Sequence, residues 1–211
     1  MILYLIRHGE TTFNAEGRIQ GQFDSPLSPV GVRQAEALAR AFESRPIEMV
    51  FSSPLSRAFD TARPIAERVG VDIRTDDRLK ELNAGVFQML LPTEMAERHP
   101  EATARWRSHD PDFCIPGGES RRQLMQRGTA AVSAILASGL KSAAVVAHGG
   151  LLTAALKGLL GIPADRNPFM LYNGSISLIE SGEQVRLLTL NEIEHLRNPD
   201  DGSAATRMGD L

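Results

Sequence analysis

The sequence holds a single cysteine in 211 residues. No internal disulfide can form, and Cys114 has no partners at zinc-ligand spacing. That usage suits a reducing compartment, so the cytoplasm is the expected location. Charge of one sign is also missing in excess: the formal net charge is -3, with a pI near 6.0. Nothing global therefore draws the chain to nucleic acid or to an anionic membrane, and any anion site must be built locally from clustered arginines. Long hydrophobic runs are absent too. The apolar stretch Ile2 to Ile6 has no basic segment before it, is too short for a signal-peptide core, and runs straight into Arg7 and His8. It reads as a buried strand. Internal repeats and low-complexity blocks are lacking as well.

What is present is ordinary globular material, 42% hydrophobic and 23% charged, at a length that suits one well-buried α/β domain. The expected extent is residues 1–197, followed by a polar tail over 198–211. Short apolar runs at Ile2 to Ile6, Met49 to Ser52, Val71 to Arg74 and Ala143 to Ala147 alternate with helical patterns. This alternation predicts a three-layer α/β fold, with a mostly parallel central sheet flanked by helices. Ser28 and Pro29 form a helix start, after which Val32, Ala35, Leu38, Ala39 and Phe42 recur at helical spacing. A second helix is expected from about Leu55 to Val69, closed by Gly70; a third begins near Glu119 and a fourth after Gly150. Ser175 to Ile179 and Val185 to Leu190 look like a closing antiparallel hairpin. Between Leu82 and Gly118 there are prolines, short helical pieces and no strand pattern, which suggests a helical cap or lid over the sheet.

Ligands in open α/β sheets sit beyond the carboxyl ends of the strands. The first strand ends in Arg7, His8, Gly9, Glu10 and Thr11. A histidine there can accept a phosphoryl group on one ring nitrogen if the other donates a hydrogen bond, and an adjacent arginine can hold phosphate oxygens. The plainer reading is a histidine satisfied by backbone beside a solvated arginine. Arg57 falls in the first turn of the second helix, where a cation opposes the helix dipole unless an anion is bound; alone, it reads equally as a surface arginine. A later strand ends in His148, Gly149 and Gly150. If its strand neighbours the first, Arg7, His8, Arg57 and His148 converge on one anion, the arrangement that phosphoryl transfer needs.

Taken together, Arg7 to Thr11, Asn14, Arg18 to Gly21, Asp24 to Ser28 with Gly31, Ser52 to Arg57, Gly117 to Ser120 and Ala147 to Gly150 resemble the phosphoglycerate mutase-like branch of the histidine phosphatases. The resemblance runs from Ile2 to about Leu196. It implies His8 as nucleophile and a phosphate pocket of Arg7, Arg57 and His148, helped by Asn14, Gln20 and Gly149. It also implies Glu81 as proton donor, since a carboxylate beside a phosphate dianion is driven toward its protonated form; without the family, Glu81 reads as a solvated lid charge. No metal and no cofactor are implied. After Glu81 the family usually shows Gly, an aromatic, Glu and Gly, whereas Gly85, Val86 and Phe87 are followed here by Gln88 and Met89.

The resulting expectation is a phosphomonoesterase acting on a small phosphorylated metabolite. A mutase is the alternative, with Arg105 and Arg107 available for carboxylate recognition, although the Glu81 to Gly117 span is shorter than mutases of the family usually carry. A non-catalytic phospho-ligand module is a third reading, supported only by Gln88 and Met89. Phe87, Met89, Leu90 and Leu91 either meet a hydrophobic leaving group or pack the cap. His99 and His109 receive no role, and His195 is read as structural. A homodimer is compatible with the sequence, while nucleic-acid and membrane partners are not expected.

Overall fold

The computed structural model describes residues 1–197, and the polar segment 198–211 lies outside them. The chain runs β1 (Ile2–Arg7), α1 (Thr12–Glu16), α2 (Pro29–Phe42), β2 (Val50–Ser52), α3 (Ser56–Val69), β3 (Ile73–Thr75), α4 (Pro92–Arg98), α5 (Pro100–Arg107), α6 (Arg121–Leu136), β4 (Ser142–Ala147), α7 (Gly149–Leu159), β5 (Ile176–Ser181) and β6 (Val185–Glu192). Three short 3-10 turns lie at Asp77–Leu79, Gly85–Phe87 and Glu194–Leu196. The sheet order is β3-β2-β4-β1-β5-β6. The first four of these strands are mutually parallel; β5 is antiparallel to β1, and β6 to β5.

Both sheet faces are covered, and the strand period of two decides which residue meets which layer. Ile6, Ala144 and Val146 pack against Leu38 and Phe42 of α2 and Ala58, Ala62 and Ile65 of α3. Leu3, Leu5, Ala143 and Val145 face the other way, toward Val132 of α6 and Leu151, Leu152 and Ala155 of α7. This is the expected three-layer arrangement. The cap lies on the α6 and α7 side, where Leu82, Phe87, Leu90, Met95, Trp106 and Ile115 join the same apolar cluster.

Local signals set most element ends. Ser28 caps α2, its hydroxyl accepting the Gly31 N–H at 3.1 Å, and Pro29 opens the first turn. Ser120 and Gln123 form a reciprocal capping box at the start of α6. Two expectations shift. Val32 is 50% exposed rather than part of the buried stripe. Val71 does not enter the sheet, because its N–H bonds to the Ala66 carbonyl in closing α3 after Gly70, which has φ 73°; β3 therefore starts two residues later than the apolar run suggests.

Candidate active site

The four parallel strands each deliver part of one site at their carboxyl ends. β1 and β4 are hydrogen-bonded neighbours with Arg7 opposite Ala147, so the residues that follow, His8 and His148, leave the sheet side by side. Their ring centroids are 5.1 Å apart. β2 lies on the far side of β4 and leads through Ser53 to Arg57 in the first turn of α3. The chain leaving β3 turns once and supplies Glu81. Arg7, His8, Arg57, Glu81 and His148 are all buried.

Each side chain is held so that one functional group remains available. His8 Nδ1 lies 2.7 Å from the Gly9 carbonyl; a carbonyl only accepts, so Nδ1 carries the proton and Nε2 keeps its lone pair. Gly9 is fixed in turn by its N–H to Thr61 Oγ1 at 3.0 Å. His148 Nε2 lies 2.8 Å from the Ser53 hydroxyl, which also accepts the Leu55 N–H at 3.3 Å. When the Ser53 hydroxyl donates to Nε2, the ring's own proton sits on Nδ1 as a donor. Arg7 Nη1 donates to the Leu171 carbonyl at 2.7 Å, while Arg57 donates to the Phe23 and Gly21 carbonyls at 2.9 and 2.7 Å. Arg7 Nε, Arg57 Nε, His148 Nδ1 and Gln20 Oε1 are fully buried and have no hydrogen-bond partner among the described residues. Buried polar groups are normally satisfied, so such a concentration at one point marks where a polyvalent acceptor fits. The Gln20 amide can turn to offer its N–H₂ instead.

Charge follows the same pattern. Burial, and then the fields of Arg57 and Arg7, hold His8 well below the usual histidine range, against the raising effect of its Gly9 hydrogen bond. His148 is lowered in the same way by burial first, then by Arg57, His8 and Arg7. Both rings are neutral near pH 7, which leaves His8 nucleophilic. Burial brings Arg7 down to about 9 despite the opposing field of Glu81, and burial likewise lowers Arg57. An anion between them would offset that desolvation.

Glu81 is docked on the start of α7. Its Oε1 accepts the Leu82 and Leu151 N–H groups at 2.8 and 2.9 Å, and Oε2 accepts the Gly150 N–H at 3.0 Å. Two donors occupy Oε1 but only one occupies Oε2, so Oε2 has a lone-pair position left for a proton. A Cβ on Gly150 would stand 2.6 Å from Oε1, which explains why the helix opens on glycine there. Arg127 fastens the backbone under Glu81 by donating to the Lys80 carbonyl at 2.7 Å and the Glu81 carbonyl at 3.1 Å, and is itself paired with Glu119.

The other expected residues fall as follows. Asn14 is in α1, and its Oδ1 accepts from Thr11 and from Asn173 Nδ2, so its amide nitrogen is what remains for a ligand. Gly149 opens α7 against Arg7, a Cβ there falling 3.3 Å from Arg7 Nε. Phe87 and Leu90 are buried in the cap, whereas Met89 is 43% exposed; this run packs the cap. Met89 has φ 69°, a conformation that suits the glycine usual at this position, and the Gln88 side chain accepts the Gln22 N–H at 2.8 Å. Arg105 is paired with Asp110 and does not line the cavity beside the phosphate site; neither does Arg107. That cavity, about 140 Å³, runs from Arg7, Glu81 and Gly150 to Trp106, Arg121 and Lys157. Sequence reasoning missed Ser53, Thr61, Asn173 and Arg127 as supports, and His109 as a cavity-lining residue. Only Ser53 carried a signal, its place in the Ser52-Ser53-Pro54 run.

The family model described as "Histidine phosphatase superfamily (branch 1)" matches residues 3–193. The chain belongs to this superfamily. It is 41% identical over 184 residues to a probable phosphoglycerate mutase of Proteus mirabilis, covering 84% of each. It is 32% identical over 197 residues to a putative phosphoserine phosphatase of Hydrogenobacter thermophilus, covering 92% of this chain and 97% of the relative. Among solved structures, a mycobacterial glucosyl-3-phosphoglycerate phosphatase complexed with VO3 superposes with a TM-score of 0.81 at 35% identity, covering 90% of this chain and 98% of that one. The chain has the family's α/β three-layer fold, and the family match together with the phosphatase-named relatives supports a hydrolase acting on phosphate monoesters. Among the described residues, no group of three or more His, Cys, Asp or Glu side chains is placed to hold a metal ion, and no helix is long and apolar enough to cross a membrane.

Proposed function

We propose that residues 1–197 act as one functional unit that hydrolyses phosphate esters of small molecules through a phosphohistidine on His8, with Glu81 as acid and base. His8 Nε2 attacks phosphorus as the ester P–O bond breaks, and the leaving oxygen takes a proton from Glu81 Oε2. Water then attacks the phosphohistidine, gives its proton to Glu81, and releases inorganic phosphate with neutral His8 restored. Arg7, Arg57, His148, Asn14 and Gln20 hold the phosphoryl oxygens throughout, and the Gly149 backbone borders them. The observation that carries this reading is the set of buried, unpartnered polar atoms around a histidine whose free nitrogen is Nε2. Donors fixed in advance by protein carbonyls need no reorganisation when charge develops on the transferring group.

Transfer to a bound product, rather than to water, is favoured by the identity to a probable phosphoglycerate mutase. Against it stands the short cap, in which two short helices, α4 and α5, and the 3-10 turn at Gly85–Phe87 cover the span from Glu81 to Gly117. Incubation with 3-phosphoglycerate separates the two: phosphate release is expected, and accumulation of the 2-phospho isomer would favour transfer.

Trapping the intermediate tests the roles of His8 and Glu81 together. With para-nitrophenyl phosphate the leaving group needs little acid help, so Glu81→Gln should slow dephosphorylation more than phosphorylation. Label from this ester should accumulate on His8, be labile in acid and stable in base, and be absent in His8→Ala. Label on a serine or on His148 would overturn the assignment.

A further inference from the structure

We propose that the cavity beside the phosphate site ends in a second anion subsite, at which Arg121 selects phosphate esters whose alcohol carries another negative group, a carboxylate or a further phosphate. The proposal rests on the phosphatase reading for its first anion and adds the second.

Of the five residues of α7 that line the cavity, Gly150, Thr153, Ala154 and Lys157 are spaced as one helical face, with Gly149 at its start. From Gly150, beside Glu81, to Lys157 the helix rises about 10 Å, which sets the reach from the phosphate site to the far end. At that end Arg121 is the first residue of α6, where a cation is unfavourable to the helix dipole and an anion is favourable. Its guanidinium lies over the Trp106 ring, 3.4 Å from the centroid, and Nη1 donates to the Trp106 carbonyl at 3.0 Å. The group is thereby held in place with most of its N–H donors unused, and among the described residues it forms no salt bridge. Burial lowers it to about 10, a desolvation that an anion would offset. Lys157 is buried close by, donating to the Ala164 and Arg166 carbonyls at 3.0 and 2.9 Å, which uses two of its three protons. Two acids oppose these cations at this end: Asp110, already paired with Arg105, whose field acts on Arg121, and the exposed Asp165, whose field acts on Lys157; His109 also lines it and is exposed. The walls at Leu124, Phe169 and Leu171 are apolar, so a charge-assisted contact there works in a low local dielectric.

The alternative is that Arg121 only staples Trp106 to α6, and binding measurements without turnover separate the two. The His8→Ala protein is titrated calorimetrically with three pairs: 3-phosphoglycerate against glycerol 3-phosphate, 6-phosphogluconate against glucose 6-phosphate, and fructose 1,6-bisphosphate against fructose 6-phosphate. In at least one pair the doubly anionic member should bind about 10- to 100-fold more tightly, and the pair concerned identifies carboxylate or phosphate as the second group. Arg121→Met in the same background should bring that ratio within about threefold of unity, while Arg121→Lys, which keeps the charge but loses the planar fork, should retain an intermediate ratio. Arg105→Met, altering a cation outside the cavity, should leave the ratio as it was. Equal affinities within all three pairs, or a ratio that survives Arg121→Met, would overturn the subsite. Should Arg121→Met fail to fold, a full ratio in Arg121→Lys would overturn it equally. Hydrolysis of para-nitrophenyl phosphate by the unaltered protein judges the phosphatase reading separately.

Discussion

The phosphate site and the cavity beside it share Arg7, Glu81 and the start of α7, but they are assembled differently. The proposed phosphate site is made where four parallel strands end, and its side chains are locked by backbone: Gly9 under His8, the Gly21 and Phe23 carbonyls under Arg57, three main-chain N–H groups on Glu81. The cavity is walled by side chains from α5, α6, α7 and the loop at Ala164 to Leu171, segments distant in sequence and held together by packing. Phosphate has the same shape in every ester, so a rigid cradle serves every substrate. The alcohol differs from one substrate to the next, and variation in cap and helix side chains can change its recognition without disturbing the cradle.

The sharpest break in this contrast is at Arg57. Arg57→Ala should weaken vanadate or phosphate binding about 100-fold, because a buried charge-assisted contact is lost. Arg122→Ala should leave it within about twofold, since Arg122 is an exposed partner of Asp112. Equal losses would mean that the cradle is not where the unpartnered nitrogens lie. Gly150→Ala separates acid from cradle: a methyl 2.6 Å from Glu81 Oε1 must displace the carboxylate. With an alkyl phosphate, kcat should fall about 10- to 100-fold, with vanadate affinity changed much less.

Acid should act on the cradle more than on the cavity. His8 and His148 are neutral in the folded protein well below pH 6.5, whereas the unfolded chain binds their protons from about pH 6.5 downward. Folding stability should therefore fall as the pH drops below about 6.5, by up to about 1.4 kcal/mol per pH unit for each ring, until the rings titrate in the folded protein. Denaturant midpoints between pH 7 and 5 measure it, and His148→Gln should flatten the slope; an unchanged slope would assign the effect to other groups. The smallest expected effect is that of chelation: dialysis against EDTA should leave turnover unaltered, and a loss restored by magnesium or zinc would count against a mechanism built on arginine and histidine.

The sequence by itself determined the layers and which residues stand at the strand ends to form the proposed cradle. Apolar runs of strand length alternating with amphipathic helices require a sheet covered on both faces, and Arg7-His8-Gly9, Ser52 to Arg57 and His148-Gly149-Gly150 each sit next to the strand or helix end that positions them. Such signals are local, so they can be read along the chain. Strand order was not local: that β4 inserts between β2 and β1, bringing His148 beside His8, is fixed by how the layers pack. The same holds for the tautomers. Nδ1 of His8 is protonated because the Gly9 carbonyl lies against it, and His148 is oriented by Ser53, 95 residues away in sequence, which meets its Nε2. Arg121 shows the limit most plainly. Arg105 and Arg107 are arginines of the cap, yet only the packing of α5, α6 and α7 decides that Arg121 lines the cavity and they do not, because burial and neighbours are properties of the folded chain.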